Sequence, residues 1–148
     1  MSSDQFDSVP TDCNGRAGMK GVLFLCVHNA GRSQIAAGFM RALGADVVQV
    51  FSAGSEPASS LNPVVVAAMS EVGIDIVSTQ PKRWTMEMLN AVDVVVTMGC
   101  GDACPYIAGT QYIDWPIADP AGKDIVEVRQ IRDEIRKRVE RLIVQLTE

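Results

Sequence analysis

The sequence predicts an α/β domain, a four-stranded parallel sheet with helices on both faces. Three observations carry that prediction. Val22 to Val27 is a continuous apolar run, as expected of a strand buried on both sides. Ile35, Ala36, Phe39, Met40 and Leu43 then recur at intervals of three and four, as on one helix face. This alternation repeats along the chain, which calls for parallel strands joined by right-handed crossovers. The 148 residues fit one domain. A chain of that length buries roughly 70% of its extended surface and needs no staple.

Residues 1–18 are polar and lack an apolar period, so they are expected to form a disordered tail, with residues 19–148 as the folded domain. The first strand is Val22 to Val27, and the first helix runs from Ser33 to Leu43, with Gly44 at its end. Val47 to Phe51 is the second strand, and Ser52-Ala53-Gly54-Ser55 is expected to turn. A second helix covers Asn62 to Val72, with Asn62 as its cap, Pro63 in its first turn and Gly73 closing it. Ser78 to Pro81 is loop, followed by a short helix from Thr85 to Leu89. Val92 to Met98 is a third buried strand, and Gln111 to Trp115 a short fourth. The last helix begins near Lys123 or Ile125, because Val128, Ile131, Ile135, Val139, Leu142 and Leu146 repeat at helical spacing.

Composition narrows the function. The chain is 47% hydrophobic and 21% charged, ordinary for a soluble globule, with a formal net charge of -5. That charge argues against nucleic acid as partner. Arg129, Arg132, Arg136, Lys137, Arg138 and Arg141 are interleaved with Glu127, Asp133, Glu134 and Glu140, so they read as a solvated helix face with no basic stripe. No apolar stretch is long enough to span a membrane, and the first residues are unlike a secretory signal. A cytoplasmic protein with reduced thiols is expected. Its four cysteines, Cys13, Cys26, Cys100 and Cys104, are too few for a disulfide scaffold.

The chemistry concentrates in Cys26-Val27-His28-Asn29-Ala30-Gly31-Arg32-Ser33, between the first strand and the first helix. In such sheets ligands bind beyond the carboxyl ends of the strands. The loop from Cys26 to Arg32 is shaped for a tetrahedral oxyanion, with its amides and the Arg32 fork on the oxygens and the Cys26 sulfur below. A helix N-terminus and a guanidinium both favour thiolate over thiol in general. Ser33 can donate to that sulfur, and Asn29 can tie the loop to itself. A cation in the first helical turn opposes the helix dipole, so Arg32 there points to a bound anion. The Met98-Gly99-Cys100 stretch ends another strand and is expected at the same mouth.

The loop, with Gln34, resembles the catalytic loop of arsenate reductases built on the low-molecular-weight tyrosine phosphatase fold. Ser52-Ala53-Gly54-Ser55, Gly73-Ile74-Asp75-Ile76, Val96-Thr97-Met98-Gly99-Cys100 and Asp119-Pro120-Ala121-Gly122 follow in the same order, so the resemblance spans about residues 20–146. It implies a cytoplasmic enzyme that reduces arsenate to arsenite. It also implies roles: Cys26 as nucleophile, Arg32 as oxyanion clamp, Ser33 and Asn29 as residues that tune the thiolate and shape the loop, and Asp119 as general acid. On the bare sequence Asp119 is a turn-forming aspartate before a proline.

Phosphate and arsenate are both tetrahedral, so the loop alone does not separate phosphatase from reductase. Phosphatases of this fold usually carry aromatic residues after the Asp-Pro pair and tend to have a second cysteine before the arginine. This chain has Ala121-Gly122 and Gly31 at those places. Cys100 and Cys104 are candidate resolving thiols, with three residues between them, closer than in the thioredoxin-linked branch. The surrounding sequence is similar to the actinobacterial branch that uses mycothiol and mycoredoxin, which implies mycothiol as co-substrate. The alternatives are a Cys26, Cys100 and Cys104 relay recycled by thioredoxin, a protein tyrosine phosphatase, and a non-catalytic oxyanion sensor. No metal and no resident cofactor are expected.

Overall fold

The computed structural model describes residues 20–44, 47–99 and 106–147. Its elements run β1 (Lys20–Cys26), α1 (Arg32–Gly44), β2 (Val48–Gly54), α2 (Pro63–Glu71), α3 (Met86–Ala91), β3 (Val94–Thr97), β4 (Gln111–Asp114) and α4 (Ile125–Thr147). The strands form one parallel sheet in the order β2-β1-β3-β4. The chain leaves β1 for β2 on one side and returns to β3 on the other. The loop after Cys26 therefore opens at the point where the strand order reverses, the usual place for a ligand.

Alternate residues of β1 feed two cores, as the pleat dictates. Val22, Phe24 and Cys26 pack with Ile35 and Phe39 of α1, Val65 and Met69 of α2, and Val128, Ile135 and Val139 of α4. Leu23 and Leu25 face the other way, with Ala53, Val95 and Leu89 of α3. Among the described residues, three helices thus cover one face and one helix the other. Among the described residues no helix is long and apolar enough to cross a membrane.

Several expectations are refined. Ser52-Ala53-Gly54 is strand, in register with Phe24, Leu25 and Cys26. Small residues suggested a turn, but pairing with β1 uses only backbone, and the site needs a second strand end at that level. The third strand is shorter than its apolar run, Val94–Thr97. The predicted Asn62 cap forms, accepting from the Val64 amide, and Thr85 caps the short helix by accepting from the Met88 amide. Arg132 is a correction, because it is buried and not on a solvated face. Its Nη1 donates to the Ala68 carbonyl at 2.9 Å and to Glu71 at 2.9 Å, and its Nε to Asp133 at 2.8 Å. The α2 helix end lies over that turn of α4, and its last carbonyls need donors. The expected tail, residues 1–18, lies outside the described residues, as do Cys13, Cys100 and Cys104.

Candidate functional site

The loop between β1 and α1 is held from outside by its own carbonyls. Those of Cys26, Val27, His28 and Ala30 accept the backbone N–H groups of Ser55, Glu56, Ala58 and Asn62 at 3.2, 2.8, 3.0 and 3.0 Å. In a trans peptide the C=O of one residue and the N–H of the next point in opposite directions. The amides of Val27, His28, Asn29 and Gly31 are therefore turned away from the 55–62 segment. Asn29 has φ 52, left-handed, and asparagine tolerates that region better than most side chains.

The sulfur of Cys26, buried, lies 2.9 Å from the Ser33 hydroxyl. Ser33 Oγ in turn accepts from Asn29 Nδ2 at 2.6 Å. The other amide atom of Asn29, Oδ1, accepts the Lys82 backbone N–H at 3.0 Å and Gln34 Nε2 at 3.2 Å. Gln34 Nε2 also reaches the Asn29 carbonyl at 3.1 Å, and Gln34 Oε1 accepts from Thr79 Oγ1 at 3.0 Å. Burial pushes the Lys82 ammonium below the usual lysine range, and like-charge repulsion from Arg41 adds to it.

Arg32, also buried, stands over the loop. Its Nη1 donates to the Ile117 carbonyl at 3.1 Å, and its Nη2 is 3.7 Å from Asp119 Oδ2. Gly99, with φ +86, lets the backbone after β3 lie against the guanidinium: a Cβ there would fall 2.3 Å from Nη1. Asp119 forms the turn its sequence suggested, with Oδ1 accepting the Ala121 N–H at 3.0 Å, and it still presents its other oxygen toward Arg32. Pro120 lies on Gly31, where an added Cβ would meet its Cγ at 2.6 Å. The resulting cleft, about 270 Å³, is lined by Cys26, His28, Ala30, Gly31, Arg32, Ala58, Asn62, Asp119, Pro120 and Ala121. No aromatic residue is among them. The room suits a small oxyanion, and a sulfur, a guanidinium and a carboxyl all line it, the last two 3.7 Å apart.

The structure therefore brings together Cys26, Asn29, Gly31, Arg32, Ser33 and Asp119, while His28 is exposed at the rim. The candidate thiols Cys100 and Cys104 lie outside the described residues. Trp115 packs at a tilt against Phe24 in the core, with centroids 5.8 Å apart, and Trp84 packs on the other face. The sequence reading did not assign roles to Thr79, Pro120 or Gly99, nor a buried role to Gln34. Gln34 carried a usable signal: a polar residue among the buried positions of a helix's first turn. Among the described residues, no three His, Cys, Asp or Glu side chains gather as a metal site would.

The sequence matches the model of the low molecular weight phosphotyrosine protein phosphatases over residues 21–148. It is 42% identical over 134 residues to a glutaredoxin arsenate reductase of Synechocystis, covering 87% of this chain and 100% of that one. It is 40% identical over 125 residues to arsenate reductase 1 of Staphylococcus epidermidis, covering 82% and 93%. Among solved structures, a thioredoxin-dependent arsenate reductase of Corynebacterium glutamicum superposes with TM-score 0.78 at 41% identity, covering 88% of this chain. This chain spans 63% of that longer one. An arsenate reductase in its phosphate-binding state superposes with TM-score 0.76 at 38% identity, covering 86% and 99%.

Proposed function

This chain belongs to the low molecular weight phosphotyrosine protein phosphatase family, and we propose that within it the chain is a thiol-dependent arsenate reductase. One observation carries the reading: the Cys26 sulfur, with a Ser33 hydroxyl at 2.9 Å, opens into a cleft lined by Arg32 and Asp119 that has no aromatic wall among the described residues. Arsenate binds with its oxygens on the loop amides and the Arg32 fork. The Cys26 thiolate attacks arsenic, and Asp119 protonates the departing oxygen, which leaves as water. Arg32 neutralises charge that builds on the remaining oxygens. Further thiols must then act, because reducing arsenate by two electrons oxidises two thiols to a disulfide and Cys26 is a single thiol.

For the first of these the reading carried forward from the sequence is mycothiol. Its sulfur attacks arsenic on Cys26 and releases the enzyme. Mycoredoxin then attacks the mycothiol sulfur, a disulfide forms, and arsenite departs with the electron pair. A second reading is favoured by the 41% identity to a structure named thioredoxin-dependent. In it Cys100 attacks the Cys26 sulfur and expels arsenite, Cys104 resolves that disulfide, and thioredoxin reduces the Cys100–Cys104 pair.

The test is arsenate-dependent thiol oxidation by the purified protein, run with mycothiol plus mycoredoxin and, separately, with thioredoxin. Cys26→Ser should lower turnover by at least about a thousandfold with any donor. Cys100→Ser and Cys104→Ser should abolish only the thioredoxin-driven rate. Retained turnover in Cys26→Ser would end the mechanism. Aryl-phosphate hydrolysis faster than arsenate reduction would favour the phosphatase reading, and tight oxyanion binding with no turnover under any donor the sensor.

A further inference from the structure

We infer that Gln34 is a positioning residue for the nucleophile: through Asn29 and Ser33 it fixes the direction of the hydrogen bond that reaches the Cys26 sulfur. The argument is one of donors and acceptors. An asparagine amide can sit either way round, and its neighbours decide. Here the Lys82 backbone N–H, which can only donate, lies 3.0 Å from one amide atom of Asn29, so that atom is the oxygen. The other is then the NH₂, and it donates to Ser33 Oγ at 2.6 Å. Ser33 has a single proton. With one lone pair of its oxygen engaged by Asn29, that proton is free for the sulfur at 2.9 Å.

Gln34 locks this order from below. Its NH₂ lies within 3.1 Å of the Asn29 carbonyl, which can only accept, so the glutamine's orientation is fixed too. The same NH₂ supports Asn29 Oδ1 at 3.2 Å. One side chain thus braces both the left-handed backbone of Asn29 and its side-chain rotamer. Thr79 Oγ1, 3.0 Å from Gln34 Oε1 and 2.8 Å from the Ile76 carbonyl, closes the far end with one proton shared between two acceptors. Gln34, Asn29 and Ser33 are all fully buried, so water cannot replace a lost partner without cost. Without Gln34, two acceptors of Asn29 lose a donor, only the Lys82 N–H still holds its amide oxygen, and the aim of the Ser33 proton at sulfur loosens.

The inference rests on Cys26 being the nucleophile, but its test does not need arsenate. The readout is iodoacetamide alkylation of Cys26, followed by mass spectrometry of the tryptic peptide Gly21–Arg32 across a pH series. Gln34→Met keeps length and removes every hydrogen bond. It should lower the rate at neutral pH roughly tenfold, the scale of one hydrogen bond to a charged group, and move the profile to higher pH. In a Ser33→Ala background the same substitution should change the rate by less than about twofold, because the path to sulfur is already cut. Equal losses in both backgrounds would assign Gln34 a merely structural role and overturn the inference, and so would no loss in either. If Gln34→Met does not fold, Thr79→Val is the substitute, with a fall of roughly two- to threefold that again vanishes with Ser33→Ala. A wild-type Cys26 no more reactive than a free thiol would instead overturn the proposed function.

Discussion

At the scale of single residues the site depends on close approaches as much as on reactive groups. Gly99 shows this. Its φ of +86 disfavours a side chain, and the space a Cβ would occupy already holds Arg32 Nη1. Gly109 has φ +92 but faces nothing within 4 Å, so it separates backbone strain from collision. Gly109→Ala should cost roughly 1–2 kcal/mol of stability and leave oxyanion affinity unchanged. Gly99→Ala should cost at least as much and also weaken phosphate binding by about tenfold or more, because it displaces the guanidinium. Isothermal titration with phosphate checks both, and equal affinities in the two variants would show that Gly99 does not seat Arg32. The grouping of Cys26, Arg32 and Ser33 at one loop was legible as reactive residue types at fixed spacing. Gly99 and Pro120 were not, since a close approach between segments far apart in sequence leaves no local pattern.

At the scale of elements, α2 and α4 are clasped by charge. Glu71 receives three hydrogen bonds from Arg129, the shortest at 2.7 Å, and one from Arg132 at 2.9 Å. The Arg129 bond, helped by that from Arg132 and opposed by partial burial, holds the Glu71 carboxyl down from 4.5 to about 2. A depressed carboxylate stabilises the fold above its unfolded value, and that contribution fades as pH falls toward the folded value. Glu71→Gln should therefore unfold at lower urea than wild type at neutral pH. The gap should narrow steadily once the pH drops below 4.5. A gap that stays constant with pH would mean that shape and not charge joins the helices. The clasp was invisible in the sequence because a helix's repeat of arginines looks the same whether it meets water or another helix. Strand and helix identities were legible from periodicity throughout. The far end of β2 was not: Ser52-Ala53-Gly54 has turn-like composition, and only its register with β1 makes it strand.

At the scale of the whole molecule, the sheet order sets three separate segments around Arg32: the β1 to α1 loop, the backbone after β3, and the Asp119-Pro120 turn before α4. None of them holds Arg32 alone. A ligand that joins these segments binds the folded chain and not the unfolded one, so it must raise the unfolding temperature by mass action. At a hundred times its dissociation constant an oxyanion adds about 2.7 kcal/mol, or roughly 5–10 °C for a chain of this size. Phosphate or arsenate should produce that rise in wild type. Cys26→Ser should keep it, because binding rests on Arg32 and the loop amides while the sulfur does the chemistry. Arg32→Ala should lose most of it. Phosphate also stabilises proteins generally, by exclusion from their surface. The Arg32→Ala curve measures that background directly, and an equal rise there would mean that the three segments gather no anion at all.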